Sequence, residues 1–312
     1  MATNVSHLDQ IIEQVAARGH AAAVLADRTS PVALAEDHPG FADPAYRARR
    51  DAIAAIGAGH RPGRPIPDVP YSPEEDAVWR RVSTELGALH RDHACAEYRL
   101  GAERLVLPAD RVPQLREVDE RTFALTGFHI RPVPGLVPIA EFYGALADRT
   151  FLATQYIRHH SVPHHTPEPD IVHEIIGHAN ALASPRFADL YQAAGEAARR
   201  VTTPEGLEAL SRIFWFTLEF GVVLDGDHLR AYGAGILSSF GELDAYRRAT
   251  VAAWDPAAMA TRAYDITAYQ PLLFAAPSED ALFADLGACF AAFGDDVAAA
   301  HLAAADTRPS NP

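Results

Sequence analysis

Two histidines five residues apart, His173 and His178, constrain this chain more than any other feature. They lie in the run Thr166-Pro167-Glu168-Pro169-Asp170-Ile171-Val172-His173-Glu174-Ile175-Ile176-Gly177-His178. Zinc peptidases place two histidines at i and i+4, about 40° apart around an α-helix. A spacing of five sets the imidazoles about 140° apart on a straight helix, so they share a metal only where the helix bulges or unwinds. Gly177 permits such a distortion. The spacing predicts a metal site on a distorted helix, unlike that of a zinc peptidase.

A third ligand is offered by Glu219, a single acid in the aromatic and aliphatic run Arg212-Ile213-Phe214-Trp215-Phe216-Thr217-Leu218-Glu219-Phe220-Gly221. A charge on a mostly buried helix is costly unless it is paired or bound to a metal. The alternative is a partner for a buried arginine. Two neutral imidazoles and one carboxylate leave open coordination positions, the set favoured by non-haem Fe(II) oxygenases.

Composition narrows the function classes. With 312 residues, 48% hydrophobic and 22% charged, the chain has enough apolar content for a sizeable core. A formal charge of −14 argues against nucleic acid and against an anionic membrane surface, both of which need clustered Lys and Arg. There is no long apolar run and no signal-peptide pattern at Met1-Ala2-Thr3-Asn4, so a cytoplasmic protein is expected. Cys95 and Cys289 are far apart and lack the spacing of a zinc or redox motif, which suggests two free thiols.

No internal repeat is visible. Leu8, Ile11, Ile12 and Val15 put a short amphipathic helix over 7–17, and the Pro-, Gly- and Arg-rich stretch 36–70 reads as an extended surface arm. Ser72-Pro73-Glu74-Glu75 is a capping-box helix start, followed by the stripe Val78, Val82, Leu86 and Leu89. A further helix runs from about Val112 to Gly127, then a strand over 128–133 and a turn at Pro134-Gly135-Leu136. Helices are expected near 139–147, 169–181, 185–198 and 204–220, and Asp225-Gly226-Asp227 marks a hairpin. The Ala-rich end, 296–312, reads as a frayed tail. The expectation is one domain, mainly α with minor β, with residues 1–70 packing on a catalytic domain of residues 71–295.

Four segments in order resemble a known family: Gln155-Tyr156-Ile157-Arg158-His159, Thr166 to His178, Trp215 to Gly221, and Tyr232-Gly233-Ala234-Gly235-Ile236-Leu237-Ser238-Ser239-Phe240-Gly241-Glu242. The chain resembles the aromatic amino acid hydroxylases, tetrahydropterin-dependent non-haem iron monooxygenases, and is most similar to the short bacterial phenylalanine hydroxylases. The likeness runs from roughly Tyr71 to Phe274. It implies a helical basket around a mononuclear iron cleft, with Fe(II) held by His173, His178 and Glu219. Glu174 would face the pterin and the metal-bound water. Arg158 would take the carboxylate of the amino acid substrate, assisted by Thr166, Gly235 and Ser238, and Pro169, Trp215 and Phe220 would line the ring pocket. The tetrahydropterin would stack on Phe142 against the backbone of Gly135, Leu136 and Val137. Read in isolation, Arg158 is a structural salt bridge, and Phe142, Trp215 and Phe220 are core.

The implied reaction is ring hydroxylation of L-phenylalanine to L-tyrosine with O2 and tetrahydropterin. Tryptophan 5-hydroxylation or phenylalanine 3-hydroxylation on the same scaffold is the runner-up. A zinc-dependent hydrolase and an inactive metal-binding scaffold are the readings from other classes. The regulatory domain and tetramerising helix of the animal enzymes have no counterpart here, so a monomer or weak homo-oligomer is expected. Departures from the family fall at Phe214, where many members have Tyr, at His160, which replaces a common Gly, and at His164-His165. With His159 these form a histidine cluster that reads as a loop near the cleft mouth, interrupted by Pro163, and not as the metal site.

Overall fold

In the computed structural model, which describes residues 36, 38–164, 169–265 and 268–306, the expected N-terminal arm is largely helical. Helix α1 (Pro44–Gly59) starts from Asp43, whose carboxylate accepts from the N–H groups of Ala45 and Tyr46, with Pro44 in the first turn. Tyr46, Arg50, Ile53, Ala54 and Gly57 recur at helical spacing, and Ile53 packs with Val69 and Tyr156. The polar composition of the whole stretch hid that periodicity; residues 65–72 do run without helix or strand. The helix expected at 7–17 lies outside the described residues.

Helix α2 (Pro73–His93) has its capping box: Ser72 Oγ accepts from the Glu75 N–H, and the Glu75 carboxylate accepts from the Ser72 N–H. Val78, Val82 and Leu86 are buried along it, with Trp79 beside them. Helix α3 (Ala96–Leu105) follows after two residues, a helix the sequence reading did not separate. Helix α4 (Leu115–Thr126) stops at Gly127, whose φ of 74° is left-handed and suits glycine. Strand β1 (His129–Pro132), helix α5 (Ile139–Ala147) and strand β2 (Thr150–Ala153) then form a βαβ crossover, with His129 paired in parallel to Thr150.

Helices α6 (Pro185–Arg200) and α7 (Pro204–Phe214) begin at the two hydroxyl-plus-proline signals, where Ser184 Oγ accepts from the Phe187 N–H and Thr203 Oγ1 from the Gly206 N–H. Strands β3 (Val222–Asp225) and β4 (His228–Ala231) make the expected hairpin around Gly226. Short helices α8 (Ala234–Leu237) and α9 (Phe240–Ala245) lead to β5 (Thr250–Ala253), α10 (Pro256–Thr261), β6 (Leu272–Ala276) and α11 (Glu279–Ala292). The second sheet has the order β4-β3-β6-β5, with β6 parallel to both neighbours.

The expected frayed tail is instead helix α12 (Asp295–Asp306), packed on α7 and α10. Its first residue, Asp295, accepts from the N–H and hydroxyl groups of both Thr202 and Thr203, while Phe293 and Ala298 are buried. Alanine is the best helix former, so an Ala-rich end with an anchored start folds. Residues 307–312 lie outside the described set. One main core runs from Trp79 and Tyr98 to Phe187, Phe216 and Phe290, with the small cluster of Ile53, Val69 and Tyr156 joined to it by Tyr71, so the chain is a single, mainly helical domain with minor β-structure. No helix among the described residues is long and apolar enough to cross a membrane.

Glu242, on α9, is buried with one oxygen accepting from the Gln270 N–H and, among the described residues, no partner for the other. Burial pushes its carboxyl up to about 7. A group raised in the folded state contributes stability fully below its unfolded value and loses it as pH rises through the folded one. Glu242→Gln should therefore match the parent near pH 4.5 and be the more stable protein above pH 7. Thermal midpoints of the two metal-free proteins across that range test this, and a difference that does not change with pH would refute it.

Candidate metal centre

From Ile171 the helix bearing both histidines widens into a π-turn over His173–Ala179, where the Asn180 N–H donates to the Ile175 carbonyl five residues back. A five-residue hydrogen-bond step places residues five apart about one turn apart, which supplies the distortion the spacing requires. Gly177 lets this turn lie against α8, because a Cβ there would stand 2.9 Å from the Ala234 carbonyl oxygen. Helix α7 ends in the same way, in a π-turn over Trp215–Glu219 closed by the Phe220 N–H donating to the Trp215 carbonyl at 2.8 Å.

The three side chains converge. His178 Nε2 is 3.0 Å from His173 Nε2 and 3.2 Å from Glu219 Oε1, and Glu219 Oε2 is 3.8 Å from His173 Nε2. Among the described residues this is the one group of three metal-ligating side chains whose ligand atoms lie within 4.8 Å of one another. The histidine cluster stays outside it: His159 sits on Asp43, and His164 lies 2.7 Å from Glu85 and against the Phe240 ring.

Hydrogen bonds behind the imidazoles aim them. Ser238 Oγ donates to the Ala234 carbonyl at 2.8 Å, so it can only accept from His173 Nδ1 at 2.9 Å. That fixes the proton on Nδ1 and leaves Nε2 as a lone pair. His178 Nδ1 is 2.7 Å from the Tyr191 hydroxyl. Two imidazole edges and a carboxylate pressed this closely share at most one proton where a cation would serve all three, so the donor set fits a divalent metal. Burial, helped by His178, lowers His173 to about 4 and keeps it neutral. Burial alone would raise Glu219, but the two imidazoles hold it below the usual carboxylate range.

Asp170 ties the neighbouring elements together. Its two oxygens accept from Arg158 Nε at 2.9 Å and Nη2 at 2.8 Å, with both side chains almost fully buried. They also accept from the backbone N–H of Arg158 and, at the start of the π-turn, of His173. The salt bridge expected of Arg158 read in isolation is thus present, and the guanidinium is forked on Asp170. Glu174 does not stand open to solvent; it is buried beneath Thr154, whose N–H donates to Oε1 at 3.1 Å, and burial raises its carboxyl to about 7.

Beside the centre, the Phe220 ring lies 4.4 Å from Trp215, which stacks on Tyr264 at 4.2 Å. Gly235 touches the Phe220 ring, where a Cβ would be 2.5 Å from Cζ. The structure thus groups Trp215, Phe220 and Gly235, whereas Ser238 serves His173. Pro169 is half-buried next to Asp170, and Thr166 lies outside the described residues.

Residues 20–306 match the biopterin-dependent aromatic amino acid hydroxylase family. The chain belongs to that family. It is 46% identical to phenylalanine 3-hydroxylase of Streptomyces coeruleorubidus over 265 residues, 85% of this chain and 95% of that one. It is 49% identical over 210 residues to the chloroplastic phenylalanine 4-monooxygenase of Chlamydomonas reinhardtii, covering 67% of this chain and 58% of that longer protein. The solved structure of Chromobacterium violaceum phenylalanine hydroxylase with bound oxidised Fe(III) superimposes with a TM-score of 0.70 at 32% identity, covering 81% of this chain and 93% of that one.

As an aromatic amino acid hydroxylase, the protein uses Fe(II) and a tetrahydropterin, which together supply the activation of dioxygen. Phe142 is half-buried and held edge-on by Phe151, Phe214 and Tyr143, at the start of α5 just after Gly135, Leu136 and Val137. Leu136 is exposed. Sequence reasoning missed Tyr191, Thr154 and Asp170 as supports of the site. Only Asp170 carried a signal: an acid three residues before His173 is a helix-capping position.

Proposed function

We propose that this hydroxylase acts on the ring of free L-phenylalanine and yields L-tyrosine, as a cytosolic monomer or weak homo-oligomer. The observation that carries the reading is the apolar wall beside the metal ligands. Phe220, the residue after the ligand Glu219, lies 4.4 Å from the Trp215 ring, and Gly235 closes against it. A substrate ring without a polar group needs only such walls, whereas a phenol or indole would leave a hydroxyl or N–H to be satisfied. Arg158 would hold the substrate carboxylate with the guanidinium edge that Asp170 leaves free, assisted by Thr166 and Gly235. Phe142 with Gly135, Leu136 and Val137 would hold the pterin, and Glu174 would face the pterin and the metal-bound water.

A second reading, attack at the 3-position, is favoured by the match to nearly the whole length of the Streptomyces 3-hydroxylase. Iron-loaded protein, given each aromatic amino acid with O2 and a reduced pterin, separates the two. Tyrosine as the main product supports the first reading and meta-tyrosine the second. Pterin-dependent product from tryptophan alone, or none from phenylalanine, would sink both.

A further inference from the structure

We propose that the Tyr98 hydroxyl is a positioning group for the metal centre. By capturing the carbonyl that the π-turn strands at Ile176, it fixes the wide helical register in which His173 and His178 meet. The inference rests on the reading of His173, His178 and Glu219 as metal ligands.

Counting hydrogen bonds along the helix shows what Tyr98 does. The Asn180 N–H bonds to Ile175, five residues back, whereas the Ala183 N–H bonds to Ala179, four back. Between these two bonds lie two donors, Ala181 and Leu182, and three carbonyls, those of Ile176, Gly177 and His178. One carbonyl must therefore lack a backbone partner. Ile176 is the one to which side chains donate: the Tyr98 hydroxyl, and Asn180 Nδ2 at 3.1 Å. Buried carbonyls are costly to leave bare, so these donors favour the register that strands one. In a uniform α-register each carbonyl would have its own N–H, and the Tyr98 hydroxyl would lose its role.

Tyr98 is set from elsewhere in the fold and not by the metal ligands. It is wholly buried on α3, and its ring meets His90 of α2 edge-on at 5.3 Å. His90 Nε2 in turn lies 2.6 Å from the Leu237 carbonyl at the end of α8, the helix against which Gly177 packs. Gly101 brings α3 against the far end of the π-turn, since a Cβ there would be 2.2 Å from the Asn180 carbonyl oxygen. Burial raises the phenol far above neutral pH, so it remains a donor throughout the working range.

Tyr98→Phe keeps the ring and removes only the hydroxyl. The readouts are Fe(II) affinity by competition with a coloured chelator, the absorption spectrum of the Co(II)-loaded protein, and the thermal midpoint of the metal-free protein. Thr126→Val is the control: its hydroxyl donates to the Leu182 carbonyl at 2.9 Å, on the same helical segment but beyond the π-turn. Tyr98→Phe should weaken metal binding roughly tenfold or more, in the range seen for groups that orient ligands, and alter the Co(II) spectrum. Thr126→Val should lower the midpoint while leaving affinity and spectrum unchanged. If Tyr98→Phe does not fold, Asn180→Ala removes the other donor and is expected to give a smaller loss of affinity. Parental affinity and spectrum in these variants, or an equal loss in Thr126→Val, would overturn the proposal. A parent protein that binds neither metal would instead remove the metal centre on which it stands.

Discussion

Glu219→Ala and His173→Ala should each give a folded protein that retains no iron and forms no hydroxylated product. The three ligand atoms sit within 4.8 Å of one another, and no other group of that kind exists among the described residues to take over. Neither side chain is part of the packed apolar core, so the far-ultraviolet spectrum and a cooperative melt should persist. Metal analysis after gel filtration, alongside product formation with phenylalanine and reduced pterin, measures the effect. His164→Ala is the contrasting change: its imidazole is on Glu85 and the Phe240 ring, and iron should be retained in full. Iron retained by either ligand variant, or lost from His164→Ala, would mean the centre lies elsewhere.

Asp170→Ala should be the most destabilising single change near the site. It leaves the Arg158 guanidinium buried without its counter-charge, a kind of loss that costs about 3–5 kcal/mol. It also removes the acceptor for the His173 N–H at the start of the ligand helix. Adding Arg158→Leu to Asp170→Ala should restore much of the stability, because the stranded charge is gone, yet should not restore iron affinity fully, because the helix start remains uncapped. Denaturant unfolding of the metal-free single and double variants tests the first half, and iron competition tests the second. A double variant no more stable than Asp170→Ala would show that the buried charge is not the cause.

The parts of the fold legible in the sequence are those with local causes. Ser72 with Glu75, Ser184 with Pro185, Thr203 with Pro204, and Asp225-Gly226 each fix an element boundary through groups within four residues, and all are found as expected. The five-residue histidine spacing likewise required a distorted helix before any coordinates. What escaped had causes distant in sequence. Helix α12 holds because Asp295 reaches Thr202 and Thr203, some ninety residues earlier, and α1 because Ile53 meets Tyr156. The β3–β6 and β5–β6 pairings join strands through parallel crossovers that no local pattern encodes. At the site, the ligands were readable from residue type and spacing, while Tyr191 and Thr154 were not, since a tyrosine 13 residues after His178 looks like any core aromatic.

Because the two metal-bearing helices each carry a surplus residue in their wide turn, chain length there is fixed to a single unit. Losing one residue between His173 and His178 would give the four-residue interval of a peptidase motif and let the helix close into a uniform α-register, with no spare carbonyl at Ile176 for Tyr98 to hold. The stretch should therefore hold iron only at its present length, which single-residue deletions and insertions across residues 171–183 would expose.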